Sequence, residues 1–167
     1  HTAAPDGKIY VAGDAGVLYV YDPATQTSQK IGTVLEGHQV WSAAGDENGN
    51  IYFGTYKSGG AHVVKYNAST GKLEDLGMAD PSGNSDYVRS MVYKGGKLYL
   101  GLGLAAKVHV MDLKNQNKIT DITPSDLHER IKKDPADGVV QYVYSMGIAG
   151  ETLMAHVDNG KKDALLF

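Results

Sequence analysis

The sequence has no cysteine among its 167 residues and no long apolar run. Without thiols the chain has no disulfide, no thiolate zinc site and no cysteine nucleophile. No segment approaches the roughly 18 apolar residues that a membrane-spanning helix needs. The N-terminus does not start with a charged and then apolar leader. We therefore predict no membrane span, and we expect any export signal to lie outside this chain.

Positive charge is also in short supply, with 16 Lys and Arg against 19 Asp and Glu and a formal net charge of −3. Basic runs are short, as at Lys132-Lys133. Because nucleic-acid binding depends on clustered basic side chains, we predict no nucleic-acid partner. The remaining composition, 42% hydrophobic and 21% charged, is that of an ordinary globular domain.

Glycine and tyrosine are abundant, at 21 and 11 residues against 2 Phe. Many glycines among strand-forming residues indicate short strands joined by tight turns. Four segments share a Gly turn followed by alternating apolar residues: DGKIYVAGD (6–14), NGNIYFGTY (48–56), GGKLYLGLG (95–103) and AGETLMAHV (149–157). They recur about every 40 to 55 residues, which is roughly the period of four-stranded propeller blades.

Further strands repeat around each copy. A second strand follows the Gly-turn strand, as in GVLYVYD (16–22) and AHVVKYN (61–67). A third strand follows as QKIGTV and KLEDLG, and more weakly as KITDIT. A related segment precedes the Gly-turn strand: QVWSAAG (39–45), YVRSMVY (87–93) and YVYSMGI (142–148). Naming the strands A to D from the axis outward, we predict an all-β propeller of nearly four blades of four antiparallel strands, at about 1–38, 39–86, 87–141 and 142–167. An ordinary β-sandwich is the alternative, but it does not explain four copies in register.

One insertion departs from this pattern. The stretch TPSDLHERIKK has Thr123 as N-cap, Pro124 at the first helical position and basic residues in its last turn. These features are typical of a helix, because they match the capping and dipole preferences of its two ends. We predict a short helix at about 124–133, in the connection before the last copy.

The segments DGKIYVAG, YNASTGKLEDLG and YVRSMVYKGGKLYLGLG resemble the repeats of bacterial seven- or eight-bladed β-propellers. That group includes quinoprotein-like, streptogramin-lyase-like and polysaccharide-lyase-type proteins, and the resemblance implies an exported protein that is extracellular or periplasmic. The Trp that closes each repeat in the quinone-binding group is missing, since Trp41 is the only Trp. We therefore predict no quinone and no other cofactor. Because an open ring exposes strand edges, we expect further blades from the same or another chain to complete it.

Loop length indicates where a ligand binds. The A-to-B and C-to-D connections are mostly short, whereas the B-to-C and D-to-A connections, such as GTYKSGGAH (54–62) with Tyr56 and ADPSGNSD (79–86), are long and varied. In a propeller these two longer types share one face. Binding sites tend to lie on loops that a rigid scaffold holds in place, so we expect the site on this loop-rich face.

The A strands carry a second signal. Aligning HTAAP with WSAAG, YVRSM and YVYSM puts His1, Trp41, Arg89 and Tyr144 at one position. The aromatic rings suit stacking on sugars, and the guanidinium fork suits a carboxylate. The alternative is that these side chains are packed between blades. The small hydroxyl residues that follow are predicted to be structural: Thr2, Ser42, Ser90 and Ser145.

Three histidines, His38, His62 and His156, are expected towards the same face. With Arg89 and Tyr144 they offer the general base and the carboxylate neutraliser that β-elimination of an acidic sugar requires. No spacing typical of a metal site appears, and we predict no metal.

The leading hypothesis is a ligand-binding or scaffold segment of an exported propeller that binds carbohydrate or a small polar ligand. The alternatives are a polysaccharide lyase acting on uronic acids and a platform for another protein. The predicted ligand-binding residues are His1, Trp41, Tyr56, His62, Arg89, Tyr144 and His156, and the candidates for catalysis are Arg89, Tyr144 and His38.

Overall fold

A computed structural model describes residues 1–127, 140–158 and 163–166 of the chain. These residues form antiparallel β-strands and one short 3₁₀ turn at Asp14–Gly16. The strands are β1 (Thr2–Ala3), β2 (Ile9–Ala12), β3 (Val17–Asp22), β4 (Thr27–Thr33), β5 (Gln39–Gly45), β6 (Ile51–Tyr56), β7 (His62–Asn67), β8 (Lys72–Met78), β9 (Tyr87–Lys94), β10 (Lys97–Gly103), β11 (Val108–Asp112), β12 (Lys118–Asp121), β13 (Tyr142–Ala149), β14 (Thr152–Asp158) and β15 (Asp163–Leu166).

The repeated glycines turn the chain between the first two strands of each group. Gly7, Gly49, Gly96 and Gly150 all have positive φ, between 58° and 89°. This backbone region is favourable for glycine and strained for other residues, which accounts for a glycine in every copy of the repeat.

Consecutive strands form four blades: β1–β4, β5–β8, β9–β12 and β13–β15. The A strands β5, β9 and β13 lie next to one another and are the inner strands, whereas β4, β8 and β12 each pair on one side only. Blade 1 is a separate sheet, and single residue pairs, Tyr56 with Tyr87 and Gly103 with Tyr142, join blades 2, 3 and 4. The predicted all-β order of strands is confirmed.

Three apolar cores lie between successive blades. Buried members include Leu18 and Phe53 between blades 1 and 2, Val63 and Leu98 between blades 2 and 3, and Val108 and Val143 between blades 3 and 4. Each fully buried Leu or Phe side chain contributes about 1.5–3 kcal/mol. The fold is therefore stabilised by contact between blades, and a blade taken alone would expose both of its faces.

Serine hydroxyls connect the inner strands of successive blades. Ser42 Oγ donates a hydrogen bond to the carbonyl oxygen of Val88 at 2.7 Å, and Ser90 Oγ donates to that of Val143 at 2.8 Å. The structural role predicted for these two serines is confirmed. Ser145, at the same position of blade 4, is exposed.

Glycine allows this close approach. A Cβ placed on Gly54 would lie 2.5 Å from Val88 Cγ1, and one on Gly101 would lie 2.7 Å from Val143 Cγ1. Each would also collide with the serine hydroxyl of its own blade. The second strand of each of these blades therefore approaches the inner strand of the next blade to a distance that only glycine permits at these two positions.

The outward face of blade 1 exposes apolar side chains. Val11, Tyr19 and Tyr21 are 41%, 43% and 38% exposed. Strand pairing places them at the positions that Phe53, Val64 and Tyr66 occupy in blade 2, where blade 1 covers those side chains and leaves them at most 9% exposed. The face has the chemical character of a blade-to-blade contact.

The helix predicted at 124–133 lies mostly outside the described residues. Within them, the Leu127 amide donates to the carbonyl oxygen of Pro124 at 3.0 Å, and the Leu127 side chain is buried in the core between blades 3 and 4. In the part of the chain that the structure describes, no helix has the length and apolar character needed to cross a membrane.

Replacing Gly101 with alanine is expected to lower the free energy of unfolding by about 1–3 kcal/mol, because a methyl group would overpack the contact with Val143. Urea unfolding followed by circular dichroism measures the change.

Gly147→Ala is the matched control, since Gly147 also lies within a strand but a Cβ there meets nothing within 4 Å. Its effect is expected to stay within about 0.5 kcal/mol. Equal losses for the two variants would contradict the close-contact explanation.

Candidate ligand-binding site

A β-bulge interrupts the inner strand of blades 2, 3 and 4. The residue left out of the pairing is Trp41 in β5, Arg89 in β9 and Tyr144 in β13. A bulge takes one residue out of the hydrogen-bonded ladder and redirects its side chain. The position at which the repeats differ is therefore the position that strand pairing leaves out.

The three bulged residues are in contact. The Arg89 guanidinium carbon lies 4.6 Å from the Trp41 ring centre and 4.8 Å from the Tyr144 ring centre. Such cation–π contacts are worth about 0.5–1 kcal/mol each at exposed sites. In the described part of the chain no hydrogen bond or ion pair joins the guanidinium to another protein group, so its N–H donors have no protein partner there.

Tyrosines extend this surface. Tyr56 and Tyr87 stack with ring centres 4.2 Å apart, and Trp41 meets their rings edge-on at 6.3 and 5.2 Å. Tyr142 lies 5.9 Å from Tyr87 and 5.4 Å from Tyr144. We call the following residues the aromatic cluster: Trp41, Tyr56, Tyr87, Arg89, Tyr142 and Tyr144.

The aromatic cluster lies at the loop-rich end of the inner strands, because Tyr56 ends β6 while Tyr87 and Tyr142 begin β9 and β13. Burial, together with the neighbouring Tyr56, raises the pKa of Tyr87. Its hydroxyl therefore stays neutral at physiological pH and remains able both to donate and to accept a hydrogen bond.

An open cleft of about 450 Å³ adjoins Trp41 on the side of blade 1. The cleft is lined by Ala12, Gly13, Ala15, Gln39, Val40 and Trp41. Trp41 Nε1 donates to Gln39 Oε1 at 3.4 Å. The volume falls within the roughly 300–1,000 Å³ of small-molecule sites.

The sequence alignment predicted that His1 is in phase with Trp41, and this prediction is wrong. Ala3 pairs with Ile9 as Gly45 pairs with Ile51, so His1 corresponds to Ala43, two residues further on. The alignment had matched Ala3 and Ala4 with Ala43 and Ala44, which makes the turn after β1 shorter than it is in the structure. His1 nevertheless lines a small cavity of about 50 Å³ beside Trp41.

His38 and His62 form a pair, with ring centres 5.2 Å apart. His38 Nδ1 is 3.0 Å from Thr55 Oγ1, and His62 Nδ1 is 2.9 Å from an Asp75 oxygen. Thr55 and Tyr56 are consecutive strand residues, so their side chains point to opposite faces of the sheet. The pair therefore lies on the opposite face of the blade 2 sheet from the Tyr56 side chain, and the catalytic role of His38 stays a prediction. Burial lowers the pKa of His38, which keeps it neutral at pH 7.

His156 stands where Gly54 and Gly101 stand in the two preceding blades, since it pairs with Ser145. Its ring centre lies 6.1 Å from that of Tyr144. Blade 4 thus replaces a packing glycine with an imidazole next to the aromatic cluster.

Sequence reasoning missed Tyr87 and Tyr142 as site residues. They are the first residues of the segments YVRSM and YVYSM, and their repetition indicated a scaffold role. The structure shows that each also contributes a ring to the aromatic cluster. A tyrosine that recurs at the loop end of inner strands was the available signal.

A buried ion pair holds the loop-rich face together. Asp80, 3% exposed at its side chain, accepts from Lys107 Nζ at 2.8 Å and from the hydroxyls of Ser82 and Ser85 at 2.7 Å. Burial alone would raise the pKa of Asp80, but the bonds from Lys107 and the serines outweigh it and hold that pKa well below its usual range. The pair joins the connection after β8 to the one after β10.

No group of three or more His, Asp or Glu side chains in residues 1–127, 140–158 and 163–166 is arranged to hold a metal ion. A separate, mostly apolar cavity of about 380 Å³ lies between blades 3 and 4 and is lined partly by Val108, Leu153 and Ala155. Ala155 occupies the position of Leu100 in blade 3, and its smaller side chain leaves space there. None of the aromatic cluster lines this cavity.

No known family profile and no curated protein match the chain. Hydrazine synthase from Kuenenia stuttgartiensis superposes with a TM-score of 0.72 at 15% identity, over 98% of this chain and 43% of that one. Virginiamycin B lyase from Staphylococcus aureus gives 0.67 at 10%, over 99% and 53%. The extracellular domain of a putative one-component system from B. thetaiotaomicron gives 0.65 at 18%, over 96% and 20%.

These structures are β-propellers, and the present chain has the β-propeller fold that its repeats predicted. At such low identities the likeness establishes the fold and not the function. The chain spans between 20% and 53% of the length of these structures.

Asp80→Asn is expected to destabilise the protein by about 1–3 kcal/mol at pH 7, because a buried hydrogen-bonded charge is lost and Lys107 loses its partner. The pKa of Asp80 is lower in the folded than in the unfolded protein. Its contribution is therefore present above the unfolded pKa, about 3.9, and falls as the pH drops below that value.

Urea midpoints at pH 7 and pH 3 test this expectation. The variant should lose less stability on acidification than the wild type. Glu74→Gln, an exposed carboxylate on β8, serves as the control and should resemble the wild type at both pH values. An unchanged acid response in Asp80→Asn would show that the pair does not stabilise this face.

Proposed function

We propose that the protein binds a carbohydrate or another small polar ligand at the aromatic cluster and the adjoining cleft. The observation that carries this proposal is the set of stacked and edge-on rings beside a cleft of about 450 Å³. Trp41 is 41% exposed and Tyr144 is 38% exposed, so both rings are accessible. Exposed aromatic rings with neighbouring hydrogen-bonding groups suit the apolar faces and hydroxyls of sugars.

The position of the site on the scaffold supports the same proposal. The rings come from three blades, and each blade is fixed to the next by a buried core and a serine hydrogen bond. A ligand that contacts such a surface meets side chains that are already positioned, so little conformational entropy is lost on binding.

Binding is expected to change the fluorescence of Trp41, which is the only Trp and therefore reports on this site alone. Titration with a panel of neutral and acidic oligosaccharides should produce a saturable signal and raise the melting temperature. Trp41→Ala should weaken binding, measured by calorimetry, about tenfold or more through loss of aromatic contact area.

Tyr19→Ala removes an equally exposed aromatic ring on the outward face of blade 1, and it should bind like the wild type. If no member of the panel changes the fluorescence or the melting temperature, the proposal is refuted. The protein-platform alternative would then be favoured.

An elimination reaction on a uronic-acid polysaccharide is the second candidate. It is favoured by the row of Arg89, Tyr144 and His156, whose successive separations are 4.8 and 6.1 Å. In such a reaction Arg89 would neutralise the carboxylate, while the phenol and the imidazole would move protons.

Elimination creates unsaturated chain ends that absorb ultraviolet light. If the protein is a lyase, incubation with uronic-acid polysaccharides should increase this absorbance, and Arg89→Ala should abolish the increase. No increase on any polysaccharide to which the wild type binds would leave binding as the function.

Two observations concern the location of the protein and its association with further blades. A structural neighbour described as an extracellular domain supports an extracellular or periplasmic location. The exposed Val11, Tyr19 and Tyr21 support the expectation that further blades, from the same or another chain, cover this face. A native mass above that of one chain, measured by light scattering, would agree with association through this face.

A further inference from the structure

We propose that the aromatic cluster selects a ligand with a planar carboxylate, which Arg89 binds along the edge of its guanidinium plane. This inference rests on the proposed function, because it specifies which polar group the bound ligand carries. It also predicts weaker binding of two other classes, neutral sugars and sugars whose charge is a tetrahedral sulfate or phosphate.

Aromatic rings flank the guanidinium of Arg89. The ring centres of Trp41 and Tyr144, which belong to the inner strands on either side of β9, lie 4.6 and 4.8 Å from its central carbon. These rings limit the approach of a ligand to the guanidinium faces. The edge carries N–H donors that lie in one plane with the spacing of the two oxygens of a carboxylate.

The charge of Arg89 is uncompensated within the described residues. Neighbouring blades supply carboxylates to other cations, such as Asp80 to Lys107 and Glu151 to Lys94, but none forms an ion pair with Arg89. Arg89 is half-buried, and a charge that has lost part of its hydration is stabilised by an anion. The site therefore favours an anionic over a neutral ligand.

The rings also favour one shape of anion. A carboxylate pairs with the N–H edge in a single plane and places no oxygen outside that plane. A tetrahedral sulfate or phosphate would direct oxygens out of that plane, towards the aromatic faces, which carry partial negative charge. The same rings then contact the carbon skeleton that bears the carboxylate.

Calorimetry on the full chain tests the inference with matched ligands. The probes are galacturonic acid oligosaccharides, the same oligosaccharides with their carboxyl groups reduced to alcohols, and sulfated galactose oligosaccharides of equal length. We expect the wild type to bind the first at least about tenfold more tightly than the other two, the effect of a charge-assisted bidentate hydrogen bond. Glucuronic and mannuronic acid oligosaccharides extend the first group to other sugars.

Two variants assign the effect to Arg89. Arg89→Gln should remove the preference for the acidic ligand. Arg89→Lys should recover only part of it, because an ammonium keeps the charge but lacks the planar fork. Tyr19→Phe, outside the site, is the control, and melting temperatures establish that all variants are folded.

The outcomes separate this inference from the proposed function. Equal binding of the acidic and reduced oligosaccharides would overturn the inference and leave carbohydrate binding in place. Equal binding of the sulfated ligand, or an unchanged preference in Arg89→Gln, would also overturn it. Failure of every probe to bind, with no change in Trp41 fluorescence, would remove both.

Discussion

The close approach of each blade to the inner strand of the next blade is the constraint on which the rest of the structure depends. Gly54 and Gly101 leave room for a valine of the next blade, and a serine hydroxyl bridges the same gap. Because the strands lie this near to one another, side chains from the bulges of three blades can touch. The aromatic cluster thus results from the packing distance of the scaffold, although its residues are far apart in the chain.

The architecture and the alignment of Trp41, Arg89 and Tyr144 were predictable from the sequence. In all three blades the bulged residue lies between a valine and a serine, so matching these neighbours preserved the correspondence. His1 was misplaced because similar alanines favoured an alignment that ignored the length of the following turn. Where a copy is short, resemblance of letters is a weaker guide than pairing register.

Contacts between blades were not predictable in the same way. The pairing of His38 with His62, and of Asp80 with Lys107, depends on which connections meet at the loop-rich face. Repeat periodicity specifies where each strand begins, but not how the side chains of irregular loops are oriented. The recurring Tyr87 shows a second limit, because a residue can repeat for its packing and still lie in a site.

The bulges have a consequence for how such a protein changes over time. A residue outside the hydrogen-bonded ladder can be exchanged without breaking strand pairing, so mutation there is decoupled from folding. Each of these blades therefore contributes one position near the common axis whose residue can vary without disturbing the sheet. In this chain these positions hold Trp41, Arg89 and Tyr144. Other residues at the same positions of the same scaffold would suit other ligands.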